Sequence, residues 1–216
     1  MDPSVGLVQA YLQINGYFTV TEYAVVEAVG RAGPYRTSTD LDVLAVRFPG
    51  AGHEVVRRHR RPAPASELAP DPALGTADDR IDMIVGEVKE GRAELNRGAR
   101  DPHVLKAVLT RFGCAPPEMA DRVVQDLLAH GVSDLPPPYG YRTRLVAFGA
   151  RSPEPLGYPV QVISLSQVIR FTQGFLREHW DILRHAPSKD LTMGLLMTME
   201  KARNAEAGDI PEDPQD

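Results

Sequence analysis

Hydrophobic positions change period several times along the chain, and each change predicts an element. Val5, Leu7, Val8, Leu12 and Ile14 recur at roughly helical spacing, which predicts a helix over 4–15 with Ser4 as N-cap and Gly16 as stop. The β-branched and aromatic run YFTVTEYAVVEAV predicts a strand over 17–29, turned by GRAGP. TDLDVLAVRF predicts a second strand over 39–48, ended by Pro49-Gly50, and RIDMIVGEVK a third over 80–89. Helices are predicted over 100–113, with Asp101 as N-cap and Pro102 in the first turn, and over 116–131, with Gly131 as the C′ residue. Strands follow at 142–150 and 159–165, then helices at 166–184 and 189–204.

The second to fifth strands are nearly continuous apolar runs, the pattern of a sheet covered on both faces. The fold class is therefore α/β, a central sheet flanked by helices. Residues 51–79 break the pattern with prolines and a basic cluster, Arg57, Arg58, His59, Arg60 and Arg61, and predict a mobile insertion with one short ordered piece near Glu54–Val56. The end, AGDIPEDPQD, predicts a disordered acidic tail.

Composition narrows the function classes. The 216 residues suffice for a full core, and a formal charge of −5 argues against a strongly basic nucleic-acid coat while leaving room for a local basic groove. The lone Cys114 excludes an intrachain disulfide and fits a reducing cytosol, and six histidines without metal spacing exclude a zinc site. No signal peptide is expected from the first residues, and no run is long enough to span a bilayer, so a cytoplasmic location is expected. Only four of the 24 basic residues are lysines: Lys89, Lys106, Lys189 and Lys201. Lysine can exchange a proton where arginine cannot, which singles out Lys89.

Lys89 stands at the charged end of an apolar strand, two residues after Glu87. Strand alternation puts Glu87 and Lys89 on one face, and Asp40 and Asp42 on one face of the second strand. If those strands are neighbours, three carboxylates and one ammonium converge. Such carboxylates repel one another unless a cation neutralises them, and oxygen ligands with room for water suit Mg²⁺. A lysine beside the metal would orient or deprotonate an attacking water.

TDLDVLAVRF followed by IVGEVKEG resembles the PD-(D/E)xK nuclease superfamily, which includes restriction endonucleases, Holliday-junction resolvases and RecB-type nuclease domains. AYLQINGYFTV likewise resembles the lead-in helix and first strand of resolvase-like members. The resemblance covers roughly residues 4–110. It implies a restriction endonuclease-like core, here 1–165 with the insertion at about 49–79, and places a helical extension over 166–204 and the tail over 205–216 outside it. It also implies Asp42, Glu87 and Lys89 as catalytic residues, with Asp42, Glu87 and the backbone carbonyl of Val88 holding Mg²⁺, or Mn²⁺ as a substitute. Leu41 stands where many members have proline. The first helix carries Gln9 and no glutamate, so Glu27 is the best auxiliary acid and Asp40 a second.

Other readings stand beside these. The Asp42–Glu87–Lys89 group also reads as a structural ion pair at a sheet edge, and Asp40 as a solvated residue at the strand's entry. Arg57, Arg58, Arg60 and Arg61 read equally as a solvated loop or as DNA contacts, and Lys106 and Arg97 as phosphate contacts or ordinary surface charges. The function expected is metal-dependent hydrolysis of DNA phosphodiester bonds, in a repair or phage-defence setting. Alternatives are RNA cleavage and a catalytically inactive binding module. The C-terminal helices are expected to pack on the core, with a homodimer interface as the second reading, and a partner protein that delivers substrate is a further expectation.

Overall fold

The computed structural model describes residues 2–28, 33–52, 68–151, 157–186 and 188–206. The chain runs α1 (Pro3–Ile14), β1 (Phe18–Ala28), β2 (Tyr35–Arg47), a 3-10 turn (Pro72–Leu74), β3 (Ile81–Arg92), a second 3-10 turn (Gly98–Arg100), α2 (Pro102–Arg111) and α3 (Ala120–His130). It continues through β4 (Val132–Leu135), β5 (Tyr141–Arg151), β6 (Gln161–Ser164), α4 (Leu165–Glu178), α5 (Trp180–Leu183) and α6 (Leu191–Glu206). This is a mixed α/β fold, as the apolar strand runs predict.

Three of its helical segments begin with the dipeptide Asp-Pro. Proline occupies the first turn, where its missing N–H is no loss, and the aspartate carboxylate accepts a backbone N–H two residues on: Asp2 from Ser4, Asp71 from Ala73 and Asp101 from His103. Asp2 thus takes the cap expected of Ser4. At the other end of α3, Gly131 sits at φ 73° in the left-handed region, the C-terminal stop its sequence position predicts.

Among the described residues six strands form one mixed sheet in the order β1-β2-β3-β5-β4, with β6 also pairing with β5. β1, β2 and β3 pair antiparallel in succession, and β3 and β5 are parallel. β4 covers Tyr141–Arg144 on the far edge of β5, and β6 continues that edge over Val146–Gly149. β4 has no counterpart among the expected strands, because its VSDL sequence offers only four residues and two of them are polar.

Helices cover both faces. Val104, Leu105, Val108 and Leu109 of α2 and Val123 and Leu127 of α3 pack with Val85 and Leu145 on one side. Val5, Val8 and Leu12 of α1 and Val168 of α4 pack with Ile84 and Val146 on the other. α6 lies outside α1 and α4, held by Met193 against Ala10 and Leu176. Part of the expected mobile insertion is anchored: Leu74 is fully buried, and Asp71 accepts the Tyr11 hydroxyl at 2.8 Å. No described helix is long and apolar enough to cross a membrane.

Candidate active site

The ladder between β2 and β3 runs from Arg47↔Asp82 to Val43↔Gly86 and stops there. Beyond that point β2 pairs only with β1 and β3 only with β5, so the two strands fork. At the fork the Asp42 carboxylate takes over the work of a ladder carbonyl, accepting the Val88 N–H at 2.8 Å.

The faces of β2 also exchange at the fork. Leu41 and Val43 would share a face in a regular strand, yet Leu41 packs with α2 and α3 while Val43 packs with α1 and α4. Opposite this point, between the pairs Thr21↔Val43 and Tyr23↔Leu41, Glu22 sits at φ 52°. A non-glycine residue in the left-handed region costs on the order of 1 kcal/mol and reorients the strand locally. The simple alternation that puts Asp40 beside Asp42 is therefore interrupted, and Asp40 is exposed, outside the contacts made by Asp42.

Three of the expected residues do come together. Lys89 Nζ lies 2.5 Å from Glu87 Oε1 and 3.6 Å from Asp42 Oδ2. Glu87 is only 1% exposed, Lys89 38% and Asp42 22%, so the ammonium spans from the interior to the surface. Asn96 completes the group by donating its amide to Glu87 Oε1 at 2.8 Å. Both donors act on the same oxygen, and among the described residues no donor lies within hydrogen-bond distance of the buried Glu87 Oε2. An orphaned carboxylate oxygen is expensive, and such an atom in a native site calls for a ligand or a functional reason.

Protonation follows from these contacts. Burial pushes the Glu87 carboxyl up to about 7; Lys89 opposes that shift and the nearby Asp42 charge reinforces it. Burial pulls Lys89 down, but the hydrogen bond and charge of Glu87, together with Asp42, outweigh it and hold the amine above the ordinary lysine range. Lys89 is therefore an ammonium at neutral pH in this arrangement, able to orient or donate and not to accept a proton.

A family-model scan, a search of curated proteins and a search of solved structures give no match to this chain.

The other candidates fall elsewhere. Lys106 pairs with Asp121 of α3 at 2.7 Å, across two exposed side chains, and joins the helices instead of the fork. Arg97 is exposed, beside Asn96 in the chain. Arg57, Arg58, Arg60, Arg61, the Glu54–Val56 piece and the side chain of Glu27 lie outside the described residues, as does the tail from 207 onward. Among the described residues no group of three His, Cys, Asp or Glu side chains could hold a metal ion. The fork offers two carboxylates, and a hard cation there would need backbone carbonyl and water oxygens to complete its shell.

Sequence reasoning missed a second polar centre, on the opposite face near the other end of β3. Asp82 and Arg144 are buried and joined by two hydrogen bonds, Nε to Oδ1 at 3.0 Å and Nη2 to Oδ2 at 2.6 Å. The Tyr17 hydroxyl donates to Asp82 at 2.5 Å, and Arg144 also donates to Gln161 and to the Leu74 carbonyl. With its charges paired and its donors used, this centre ties the α1–β1 turn, β3, β5 and β6 to the 72–74 turn and leaves no group open for chemistry. An apolar groove of about 330 Å³ lined by Phe18, Val20, Phe48 and Phe112 likewise lacks a charged lining residue.

Proposed function

We propose that this protein is a Mg²⁺-dependent nuclease of the PD-(D/E)xK type, on a restriction endonuclease-like core, that hydrolyses DNA phosphodiester bonds. The observation that carries this reading is the fork itself, where Asp42, Glu87 and Lys89 meet and Glu87 presents a buried, unpartnered Oε2. The donor set fits the ion: Asp42, Glu87 and the Val88 carbonyl would hold it, with water filling the remaining positions. When bound, Mg²⁺ supplies neutralising charge between the two carboxylates and polarises a phosphoryl oxygen.

The chain's own residues account for the rest. Asp42 fixes the end of β3 through the Val88 N–H, so the strand delivers Glu87 and Lys89 in register. The partly exposed Lys89 ammonium faces both carboxylates, where it orients water and offsets negative charge growing on the phosphate. In the overall reaction a P–O bond forms to water oxygen as the P–O bond to one sugar breaks.

A second reading has its own support. Lys89 and Asn96 already satisfy one Glu87 oxygen, an arrangement also suited to a nuclease-fold module that binds nucleic acid or protein without cutting. RNA is an alternative substrate, because the fork chemistry does not depend on the sugar.

Purified protein incubated with supercoiled plasmid, single-stranded DNA or RNA, in Mg²⁺, Mn²⁺ or EDTA, tests the proposal alongside Lys89→Ala. Metal-dependent cleavage that disappears in the variant is expected. Cleavage that persists in Lys89→Ala or in EDTA sinks the assignment, and binding without cleavage in any divalent ion favours the module.

A further inference from the structure

We infer that Asn96 is a positioning residue for the proposed metal site: it holds Glu87 so that one carboxylate oxygen is occupied and the other is left free to bind the ion. This rests on the metal reading above and adds to it a residue outside the motif. The geometry fixes which way the amide points. Asn96 Oδ1 accepts the Ala99 N–H at 2.6 Å, so Nδ2 is the atom aimed at Glu87 Oε1, at 2.8 Å. Lys89 binds the same Oε1, and Oε2 is left buried and unpaired.

The segment that carries Asn96 is itself held on several sides. The Ala93 N–H donates to the Arg151 carbonyl at 3.0 Å, and the Leu95 N–H to the Tyr158 hydroxyl at 3.0 Å. Ala93, Leu95 and Ala99 are buried, and the Arg100 guanidinium stacks 4.2 Å over the Tyr158 ring. Gly98 lies so close to Thr39 of β2 that a side chain there would collide with it. The segment is thus wedged between the diverging β2 and β3, and Asn96 is its one side chain hydrogen-bonded to the site. Partners that orient a metal-binding carboxylate commonly change metal affinity by about 10- to 100-fold when removed.

The test is calorimetric titration of Mn²⁺ into metal-free full-length protein at pH 8, without nucleic acid. It compares wild type, Asn96→Ala, Asn96→Ser and Arg97→Ala, each with a thermal melt. Serine keeps an oxygen that can accept the Ala99 N–H but is too short to reach Glu87, so it separates the turn from the positioning contact. Both Asn96 variants are expected to weaken Mn²⁺ about 10-fold or more, with Asn96→Ser melting closer to wild type than Asn96→Ala does and Arg97→Ala binding normally. Wild-type affinity in Asn96→Ser overturns the inference and leaves the metal reading intact, even if Asn96→Ala is impaired through its turn. A wild-type protein that takes up no Mn²⁺ overturns the metal reading and this inference together.

Discussion

The Val88 N–H donates to the Asp42 carboxylate at 2.8 Å, just past the point where the β2–β3 ladder ends. One side chain therefore does two things: it caps a buried backbone donor at the fork, and it brings negative charge to within 3.6 Å of Lys89. The two roles separate by substitution.

Asp42→Asn keeps an oxygen for Val88 and removes the charge, so unfolding free energy should stay within about 1 kcal/mol of wild type. Asp42→Leu leaves the buried N–H unpaired and should cost about 1–3 kcal/mol. Both should abolish the proposed metal-dependent cleavage. Urea denaturation beside the cleavage assay checks this, and an active Asp42→Asn protein would remove Asp42 from the site.

Glu87 gives a pH prediction. Its carboxyl titrates near 7 in the fold against an ordinary 4.5, so between those values the folded protein holds a proton that the unfolded chain has released. This contribution to stability is complete below pH 4.5 and is lost as pH rises through 7. Glu87→Gln does not titrate. In EDTA its stability relative to wild type should increase by roughly 2–3 kcal/mol between pH 4.5 and pH 8. Chemical denaturation at the two pH values measures the change, and a constant difference would show that Glu87 is not raised.

How much of this was legible in the chain depends on the residue. The apolar runs gave the layers, and the Asp101-Pro102 grammar correctly started α2; Asp2-Pro3 and Asp71-Pro72 follow the same rule and could have been read the same way. The charges in RIDMIV and RTRL were a visible signal, since Asp82 and Arg144 interrupt apolar strands. Their pairing needed the knowledge that β3 and β5 are neighbours. Strand alternation failed at Asp42 because a ladder end and one left-handed residue, Glu22, are not encoded in hydrophobic period. Asn96 gave no signal at all: a polar residue in a loop looks like every other until the fold sets it against Glu87.

The Asp82–Arg144 pair should govern stability and not chemistry. Asp82→Ala leaves the Arg144 guanidinium buried without its counter-charge and should cost about 3–5 kcal/mol. Tyr17→Phe removes one hydroxyl from the same network and should cost about 1 kcal/mol. Denaturation midpoints measure both. Tyr17→Phe should retain the Mn²⁺ affinity of wild type, because its hydroxyl lies on the opposite face from Glu87.

Gly149 tests the link between the sheet and the site. It stands opposite Lys89 in the β3–β5 register, and a Cβ there would lie 2.5 Å from the Ala93 backbone nitrogen and 2.6 Å from its Cα. Backbone on both sides cannot yield as a flexible side chain would, so Gly149→Ala must push the Ala93 segment away from β5. Overpacking of this kind costs about 1–3 kcal/mol, and the displaced segment carries Asn96 with it. Gly149→Ala should therefore lose stability and weaken Mn²⁺ binding together. Gly174 in α4 has nothing within 4 Å of its added Cβ, and Gly174→Ala should instead stabilise the protein by about 0.5–1 kcal/mol through helix propensity alone, with Mn²⁺ binding unchanged. Melting and calorimetry on the two variants distinguish the cases: if Gly149→Ala lowers stability but binds Mn²⁺ as wild type does, the segment's position does not control the site.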